Sequence, residues 1–459
     1  MTEKCQLRIA ASEFAKLNAH LFPGDRDEHG AVLLAGISRP RDRWAFHVRE
    51  VHLAMEGTDY VKGKIGYRAL HPTFIHRLIT RARDEKLAYL AVHNHESDKS
   101  VGFSQIDMDS HERGYPALLQ ISRGVPVGAA VFGHRSMQVD VWIPGGSRLE
   151  LDEATVVGST IQRLNPSPRR SGAGHSLEQF ERQVRMFGED GQRELGRCQV
   201  GILGLGGIGS LVAEYLARLG VGRFQLVDPD KVESSNLSRI VGASSSDAAQ
   251  KRLKVDVAKR LIGEANPAAQ VETIADDIAK DSVARRLIEN DYLFLAADSM
   301  RARLVFNAIV HQYFIPGVQL GSKIRVNGDG KIIDVLSLNR PVRPGQGCLW
   351  CNQLIDSNAL AIEAKTDAER VDQAYGTREP NPSVIALNAI SAAHAVSDFM
   401  LDYLNLRPEP DTLRYEQYDV IKRTRMMVEP RRSPDCPECS TEGRRYGRAE
   451  AVPLPTVEG

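Results

Sequence analysis

Hydrophobic residues in the N-terminal third of the chain recur in patterns that predict an α/β unit. Within His71–Lys86, apolar residues such as Phe74 and Leu78 repeat at helical spacing and fall on one face. Four short apolar runs have the length expected of strands, and the second leads directly into His93. These predicted strands are Ala31–Ala35, Ala88–Val92, Val127–Phe132 and Met137–Trp142. The pattern predicts one α/β domain, which we assign to residues 1–150.

From residue 200 onward, strand-like and helical segments alternate. The predicted strands are Val200–Leu203, Arg223–Val227 and Tyr292–Ala296, and the predicted helices are Ile208–Leu219, Leu253–Glu264, Met300–Val310 and Ser383–Leu404. Such alternation is typical of βαβ units, in which helices join parallel strands and pack on their sheet. We therefore predict a second α/β domain with a parallel, doubly wound sheet.

Turn-forming residues separate the two predicted domains. Residues 165–174 read NPSPRRSGAG, a composition that disfavours both helix and strand. We accordingly place a linker at residues 151–176 and the second domain at residues 177–442. Residues 443–459 are polar with scattered proline, and we expect them to form a flexible tail.

Composition excludes several classes of protein. The 59 lysines and arginines balance 59 aspartates and glutamates, so the chain lacks the basic excess of a protein that coats nucleic acid. No stretch reaches the roughly 20 apolar residues of a membrane helix, and the first residues lack the apolar core of a signal peptide. We therefore expect a cytoplasmic protein with neither a membrane nor a nucleic-acid partner.

A set of polar residues lies at and beyond the end of one predicted strand. His93 and His95 are two apart and project to the same side, and Asp107 begins a predicted helix. Two imidazoles and a carboxylate leave one position of a tetrahedral zinc ion open for water, as in catalytic zinc sites. Zinc lowers the pKa of that water to about 7. Glu28 is the candidate base and Ser104 the candidate oxyanion donor.

Two alternatives stay open for this segment. The His-x-His pair can be incidental, with Ser104 serving only as the N-cap of the helix that contains Asp107. Asp109 also lies close enough in sequence to replace Asp107 as the third ligand.

The ordered set Glu28, His93-x-His95 and Ser104-x-x-Asp107 resembles the JAMM (JAB/MPN) metalloprotease family over most of the first predicted domain. The resemblance implies that the two histidines and the aspartate bind a catalytic zinc ion. It also implies that Glu28 is the base and that Ser104 stabilises the oxyanion. Members of this family cleave peptide or isopeptide bonds after the C-terminal glycine of ubiquitin-like proteins. The chain departs from the family pattern in having glutamate, where proline is usual, after the second histidine.

A glycine-rich loop follows the first predicted strand of the second domain. Residues 201–210 read GILGLGGIGS, and these glycines allow a tight turn and a close approach of the backbone to a phosphate. Asp228, at the end of the next predicted strand, is positioned to bind a ribose hydroxyl. A nicotinamide-dependent oxidoreductase would share both features.

Residues beyond the loop help to distinguish these nucleotide chemistries. Asn236, Arg239 and Lys254 bring polar and cationic groups toward a triphosphate, which hydride transfer does not require. Asp298 follows another predicted strand and is a candidate magnesium ligand. Taken singly, Lys254 and Arg239 can also be surface charges, and Asp298 can be a helix cap.

Four of the six cysteines form two CxxC pairs, Cys348 with Cys351 and Cys436 with Cys439. Two such pairs predict a closed four-thiolate zinc site, which is structural because no position is left for substrate. The alternative is four free or redox-active cysteines. The wide separation of the pairs implies that zinc joins a crossover loop to the C-terminal part of the domain.

These features together resemble the ThiF superfamily, which includes the ubiquitin-activating enzymes and the adenylyltransferases of thiamine and molybdopterin synthesis. Over about residues 177–440, the resemblance implies a Rossmann-like domain that uses ATP and Mg²⁺ to adenylate the C-terminal glycine of a ubiquitin-like (β-grasp) protein. The implied roles are an ATP cradle of Gly204, Gly206, Gly207 and Gly209, ribose contacts from Asp228 and Asp230, phosphate contacts from Asn236, Arg239 and Lys254, and magnesium positioning by Asp298. Arg182 resembles the arginine that reaches into a neighbouring subunit, which implies a homodimer.

The crossover loop departs from the ThiF pattern. The thioester cysteine of this family usually lies there, and residues 352–380 contain no cysteine. We therefore expect the enzyme to stop at the adenylate, with a hydroxyl acceptor such as Thr366 or Thr377 as the alternative.

One C-terminal glycine tail would serve as substrate for both predicted domains. We therefore predict a bifunctional enzyme that trims or releases a ubiquitin-like protein and adenylates it for conjugation, with a conjugating-enzyme-like or sulfur-transfer protein as a further partner. The alternative within this chemistry is processing and activation of a sulfur carrier. Two other classes stay open: an NAD-dependent oxidoreductase, and a non-enzymatic scaffold with a degenerate JAMM domain.

Overall fold

The computed structural model describes residues 3–25, 27–61, 69–167, 178–364, 382–407 and 412–457. The chain divides into two compact units. The first is built from Met1–Gly172, Gln312–Phe314 and Thr441–Pro453, and the second from Ala173–His311, Ile315–Ser440 and Leu454–Gly459. Both units contain strands and helices, so the predicted α/β class is confirmed.

The first unit is built around an eight-stranded sheet. Its strands are β1 Glu3–Ala10, β2 Gly30–Ser38, β3 Trp44–Leu53, β4 Ala88–Asn94, β5 Val127–Phe132, β6 Met137–Trp142, β7 Arg148–Val157 and β8 Ile161–Leu164. Its helices are α1 Ala11–Leu21, α2 Pro72–Glu85 and α3 Gln105–Ile121, with 3-10 turns at Pro40–Asp42 and Ala449–Ala451. The strand order is β1-β3-β2-β4-β5-β6-β7-β8, and a further pairing of β1 with β7 closes the first seven strands into a ring.

Both faces of this sheet are covered, which explains its nearly continuous apolar strands. Leu33 of β2 lies in one buried cluster with Leu17 of α1. Its neighbours Val32 and Leu34 point the other way and share a second cluster with Phe74 of α2. Strands buried on both faces lose the alternation of apolar and polar residues, and the predicted strands of this unit are confirmed.

The predicted linker differs from the structure at its start. Residues 151–164 contain most of β7 and all of β8, and β7 pairs in parallel with β1 along its whole length. Apolar residues alternate along β7, with Leu149, Leu151 and Ala154 buried, so this segment contributes to the core. Residues 168–177 of the predicted linker lie outside the described residues.

The predicted flexible tail also differs from the structure. Thr441–Pro453 forms part of the first unit, where Tyr446 is fully buried and its ring centroid lies 4.9 Å from that of Phe314. The guanidinium of Arg49 donates to the carbonyl of Gly443 at 3.1 Å and also to that of Tyr446. One buried aromatic ring and one buried cation hold a segment that has little hydrophobic pattern.

The second unit also contains an eight-stranded sheet. Its strands are β9 Gln199–Leu203, β10 Arg223–Val227, β11 Gln270–Ile274, β12 Tyr292–Leu295, β13 Gly317–Val326, β14 Ile332–Val342, β15 Tyr415–Asp419 and β16 Thr424–Val428. Its helices are α4 Glu181–Arg197, α5 Gly207–Leu219, α6 Ser245–Ala249, α7 Lys254–Ala265, α8 Asp281–Leu287, α9 Met300–Tyr313, α10 Ser357–Glu363 and α11 Ile385–Tyr403, with 3-10 turns at Glu178–Phe180 and Ser234–Asn236. The last two residues of α9, Gln312 and Tyr313, belong to the first unit.

Half of the second sheet has the predicted parallel βαβ arrangement. The order is β11-β10-β9-β12-β13-β14-β15-β16, and the strands from β11 to β13 are parallel. The remaining pairings, from β13 to β16, are antiparallel and extend the sheet beyond the strands that the sequence predicts. Among the described helices, none combines the length and apolarity needed to cross a bilayer. The carboxyl ends of β9, β10 and β12 meet at one edge, where ligands bind in folds of this kind.

Candidate functional site

The end of β4 brings the predicted zinc ligands of the first unit together. The ring centroids of His93 and His95 are 4.9 Å apart. Oδ2 of Asp107 lies 3.6 Å from Nε2 of His93 and 3.7 Å from Nε2 of His95. Glu28 precedes β2, and its Oε1 lies 3.9 Å from Nε2 of His95. Side chains from the segment before β2, from the end of β4 and from the first turn of α3 therefore converge on one point.

The first turn of α3 fixes the position of the candidate carboxylate ligand. The backbone amide and the hydroxyl of Ser104 donate to Oδ2 of Asp107 at 2.8 and 2.7 Å, and the amide of Asp107 donates to the Ser104 hydroxyl at 3.2 Å. Ser104 is thus the predicted N-cap, and its hydroxyl is bonded to Asp107. Asp109 instead accepts from Gln105 at 2.8 Å. The geometry favours Asp107 over Asp109 as the third ligand.

The electrostatics of this cluster fit a shared cation. Partial burial alone would raise the pKa of the Asp107 carboxyl, but His93 and Ser104 hold that pKa well below its usual range. Nε2 of His93 is buried and has no hydrogen-bond partner among the described residues. The ligand atoms of His93, His95 and Asp107 all lie within 4.8 Å of one another. A buried imidazole nitrogen that faces a carboxylate without bonding to it fits the donor set of a zinc ion.

The predicted glycine loop lies at the carboxyl edge of the second sheet. Gly204 has a φ of +92°, and a Cβ on it would lie 2.7 Å from the amide nitrogen of Ala297. The amide of Leu205 donates to Oδ2 of Asp228 at 2.6 Å, and that of Asp230 donates to Oδ1 at 2.9 Å. Burial raises the pKa of Asp228. Both oxygens of Asp228 therefore hold the loop and the following turn.

The predicted phosphate and magnesium residues surround this loop. Nζ of Lys254 lies 2.6 Å from Oδ2 of Asp230 and 3.8 Å from Oδ1 of Asp228. A Cβ on Gly207 would lie 3.4 Å from Cβ of Arg239, whose guanidinium donates to the carbonyl of Ser235. These contacts place two cations beside the glycine-rich turn, as a site for an anionic nucleotide requires.

Asp298 is exposed and follows Ala297, so it lies next to Gly204. The alternative that Asp298 caps α9 is not supported. Instead, Ser299 accepts from the amide of Ala302 at 3.1 Å, and Glu363 accepts from the amides of Met300 and Arg301 at 2.9 and 3.0 Å. The Asp298 carboxylate is therefore not used as the cap of this helix.

Of the four other predicted residues, two lie in the described part of the chain. Asn236 is buried, and its Oδ1 accepts from the amide of Glu233 at 3.1 Å, which shapes the turn before Arg239. Arg182 is exposed in the first turn of α4, and its role in a homodimer stays a prediction. Thr366 and Thr377 lie outside the described residues.

Sequence reasoning missed two residues at this edge. Asn388 of α11 is buried, and its Nδ2 would lie only 2.3 Å from a Cβ on Gly207. Its Oδ1 accepts from Ser322 at 2.9 Å. Glu363, described above, is the second. A single asparagine among the apolar residues of 385–390 was the available signal for Asn388.

Two glycines of the loop predict opposite results on substitution. A Cβ on Gly209 would lie 1.8 Å from the carbonyl oxygen of Gly204, whereas a Cβ on Gly206 would meet no atom within 4 Å. We expect Gly209→Ala to lower the free energy of unfolding by on the order of 2–3 kcal/mol, because a backbone clash must be relieved. Gly206→Ala should leave stability nearly unchanged and weaken ATP binding, because its methyl group would point into the open space. Denaturant unfolding and nucleotide titration of both variants check this; equal stability of the two would contradict it.

The four predicted zinc thiolates also converge. Sγ of Cys348 lies 3.8 Å from Sγ of Cys436, and Sγ of Cys351 lies 3.7 Å from Sγ of Cys439. Tetrahedral Zn–S bonds of about 2.3 Å place sulfurs about 3.8 Å apart, so these spacings fit a four-thiolate ion. Hydrogen bonding from the Cys439 thiol lowers the pKa of Cys348 to about 6. The donor set favours a structural metal over four free cysteines.

Comparison with known proteins concerns mainly the second unit. The molybdopterin-synthase adenylyltransferase of Escherichia coli is 32% identical over 189 residues, which are 40% of this chain and 72% of that protein. The sulfur carrier protein adenylyltransferase of Thermus thermophilus is 26% identical over 268 residues, 58% of this chain and 92% of that protein. A Bacillus subtilis tRNA threonylcarbamoyladenosine dehydratase is 43% identical over 95 residues, 21% of this chain. The chain spans 37% of that dehydratase and 51% of an Aspergillus niger adenylyltransferase and sulfurtransferase.

Solved structures of E. coli MccB align with 58% of this chain and 75% of MccB, at 23% identity and a TM-score of 0.46. The model of the ThiF family matches residues 180–438, more than half of the chain. This match includes the glycine loop, Lys254, Asp298 and three of the four clustered cysteines, and it does not extend to the histidine cluster of the first unit. The chain therefore belongs to the ThiF family.

Proposed function

We propose that the second unit adenylates the C-terminal carboxylate of a ubiquitin-like sulfur-carrier protein. The observation that carries this proposal is the convergence of the glycine loop, Lys254, Arg239 and Asp298 at one sheet edge. The names of the E. coli and T. thermophilus relatives describe adenylyltransferases, and the second names a sulfur carrier as substrate. These relatives favour sulfur-carrier activation over our first prediction, conjugation.

The proposed reaction needs charge neutralisation more than acid–base chemistry. A carboxylate oxygen attacks the α-phosphorus of ATP, the bond to the bridging oxygen breaks, and pyrophosphate leaves with that electron pair. Lys254 and Arg239 supply the cations that attract the phosphates and stabilise their added charge. Magnesium, when bound, would neutralise phosphate oxygens, and Asp298 is the exposed carboxylate in position to hold it. The backbone at Gly206 leaves room for the nucleotide.

Exchange of labelled pyrophosphate into ATP tests this function directly. Exchange should require a β-grasp protein that ends in Gly–Gly, and removal of its last glycine should abolish exchange. Tight binding of NAD together with no exchange would instead support the oxidoreductase alternative, which gives no role to Arg239 and Lys254.

We propose a second activity, zinc-dependent hydrolysis of a peptide or isopeptide bond, for the first unit. The unpartnered Nε2 of His93 beside Oδ2 of Asp107 favours it, as does the approach of Glu28 to His95. Zinc, when held by His93, His95 and Asp107, would supply an acidic water. Glu28 would accept the proton of that water and deliver it to the leaving amine. Ser104, freed from Asp107, would donate to the developing oxyanion.

Metal content distinguishes this hydrolase from a degenerate scaffold. We expect about two zinc ions per chain in the wild type and about one in His95→Ala, because one of three ligands is lost from the first site. His76→Ala on α2 is the matched control, since it replaces a histidine outside the cluster. Elemental analysis after dialysis measures both. A wild type that retains one zinc ion would contradict the catalytic site.

The two activities share a substrate in this proposal. A Gly–Gly terminus exposed by hydrolysis in the first unit would be the carboxylate that is adenylated in the second. Since the crossover segment has no cysteine, a separate sulfur-transfer protein would attack the adenylate. Arg182 would complete the nucleotide site of a second copy in a homodimer.

A further inference from the structure

Asn94 lies between the two candidate histidine ligands, at the last position of β4. It is 1% exposed. Its side chain points to the opposite side of the strand from His93 and His95, as alternation along a strand requires. Its Oδ1 accepts a hydrogen bond from the backbone amide of His29 at 2.6 Å. A buried side chain from one strand thus holds the segment that leads into another.

This hydrogen bond is made where the β2–β4 ladder ends. The two strands are antiparallel, and their last paired residues at this end are Gly30 and His93. His29 precedes the first residue of β2, so the Asn94 side chain bonds it where the backbone ladder stops. The side chain extends the restraint by one residue beyond the strand pair.

The restrained amide belongs to the peptide group that follows Glu28. Because a peptide group is planar, fixing the N–H of His29 also fixes the carbonyl of Glu28 and restricts the backbone that carries its side chain. That side chain is about one-third exposed and lies 3.9 Å from Nε2 of His95.

Neighbouring contacts hold the flanks of the same segment. The amide of Gly30 donates to the hydroxyl of Tyr60 at 2.8 Å, and the ring of His29 lies 2.9 Å from a carboxylate oxygen of Asp25. These contacts fix the start of β2 and the His29 side chain. The hydrogen bond that Asn94 accepts restrains the backbone amide of His29, which follows Glu28 in the chain.

We propose that Asn94 is a positioning residue, which holds Glu28 against the histidine cluster through the His29 amide and so sets the geometry for proton transfer. The inference rests on the proposed hydrolase. Displacement of a catalytic group by about 1 Å lowers turnover by on the order of 100-fold. Loss of the Asn94 acceptor should therefore lower kcat and leave zinc binding and KM nearly unchanged.

The test compares Asn94→Leu, which removes the acceptor at similar size, with Asn94→Asp, which keeps one. Zinc-loaded protein is assayed with a peptide that ends in Gly–Gly amide-linked to a fluorogenic amine. We expect kcat to fall about 10–100-fold in Asn94→Leu and to recover in Asn94→Asp. In a Glu28→Gln background, Asn94→Leu should have little further effect, because both changes remove the same contribution. Ser122→Ala, which removes a fully buried hydroxyl bonded to the carbonyl of Val125, is the control for general destabilisation.

Hydrogen exchange of residues 27–33 gives a readout that does not depend on activity. Exchange at the His29 amide should quicken in Asn94→Leu, stay slow in Asn94→Asp and stay slow in Ser122→Ala. Unchanged exchange in Asn94→Leu, or additive loss of kcat with Glu28→Gln, would overturn the inference. A zinc-loaded wild type that cleaves no probe would overturn the hydrolase, and the positioning role with it, even if exchange behaves as expected.

Discussion

Cys348→Ser is expected to remove one zinc ion per chain and to unfold much of the second unit. The binding free energy of a four-thiolate zinc ion is on the order of 10 kcal/mol, and it contributes to folding because the unfolded chain has no formed site. Three of the cysteines are buried, and the two CxxC pairs lie far apart in sequence, so the ion would close a long loop. Thermal unfolding and elemental analysis measure the effect, and a chelator should reproduce it in the wild type.

Cys198→Ala is the matched control for this substitution. Cys198 is as buried as Cys348 but lies outside the sulfur cluster, next to the start of β9. Its replacement should lower stability by about 1 kcal/mol, as for other small core changes, and leave zinc content unchanged. Equal zinc content and similar unfolding temperatures in the two variants would rule out a structural zinc site.

Lys254→Ala is expected to lower the rate of ATP–pyrophosphate exchange by about 100–1000-fold, since a cation directed at developing phosphate charge contributes on that scale. The lysine begins α7, and its ammonium is held beside the glycine loop by Asp230. Stability should fall as well, because the side chain of Lys254 is only 12% exposed and its ammonium also lies 3.8 Å from the buried carboxylate of Asp228, which would lose a neighbouring cation.

Lys259→Ala is the control that distinguishes the local effect of the Lys254 charge on exchange from the effect of the net charge of the protein. Lys259 is exposed on the same helix, one and a half turns further on, so its loss changes the charge of the protein equally. It should leave exchange within about twofold of the wild type, given how solvent and salt screen exposed charges. Similar losses in both variants, or full exchange in Lys254→Ala, would contradict the assignment of Lys254 to the nucleotide.

Much of each sheet could be predicted from apolar runs, and the exceptions have physical causes. Val127–Phe132 is buried at every position, so its composition alone identifies it as a strand. Thr424–Val428 is exposed at every position. It is a strand because it pairs with Tyr415–Asp419. That pairing uses backbone groups, so it leaves no hydrophobic pattern in the side chains of the strand. Strand β16 was missed for this reason.

The candidate sites likewise contain residues that could be predicted from the sequence and residues that could not. The cluster of His93, His95 and Asp107 could be predicted because two of its members alternate at the end of one strand and the third lies in the first turn of a helix. Asn94 and Glu363 could not, because they act through hydrogen bonds to backbone amides 62 or more residues away. Such bonds depend on the finished fold and have no local sequence pattern.

The first unit is built from segments that lie far apart in the sequence, and this affects when its folding can be completed. Residues 441–453 supply the buried ring of Tyr446. They also supply two backbone carbonyls that accept hydrogen bonds from the buried guanidinium of Arg49. A ribosome makes this segment after residues 1–440. The first unit can therefore complete this part of its core only once residue 453 has been made. A chain cut short near residue 440 would carry every candidate zinc ligand and still lack part of the core of the first unit.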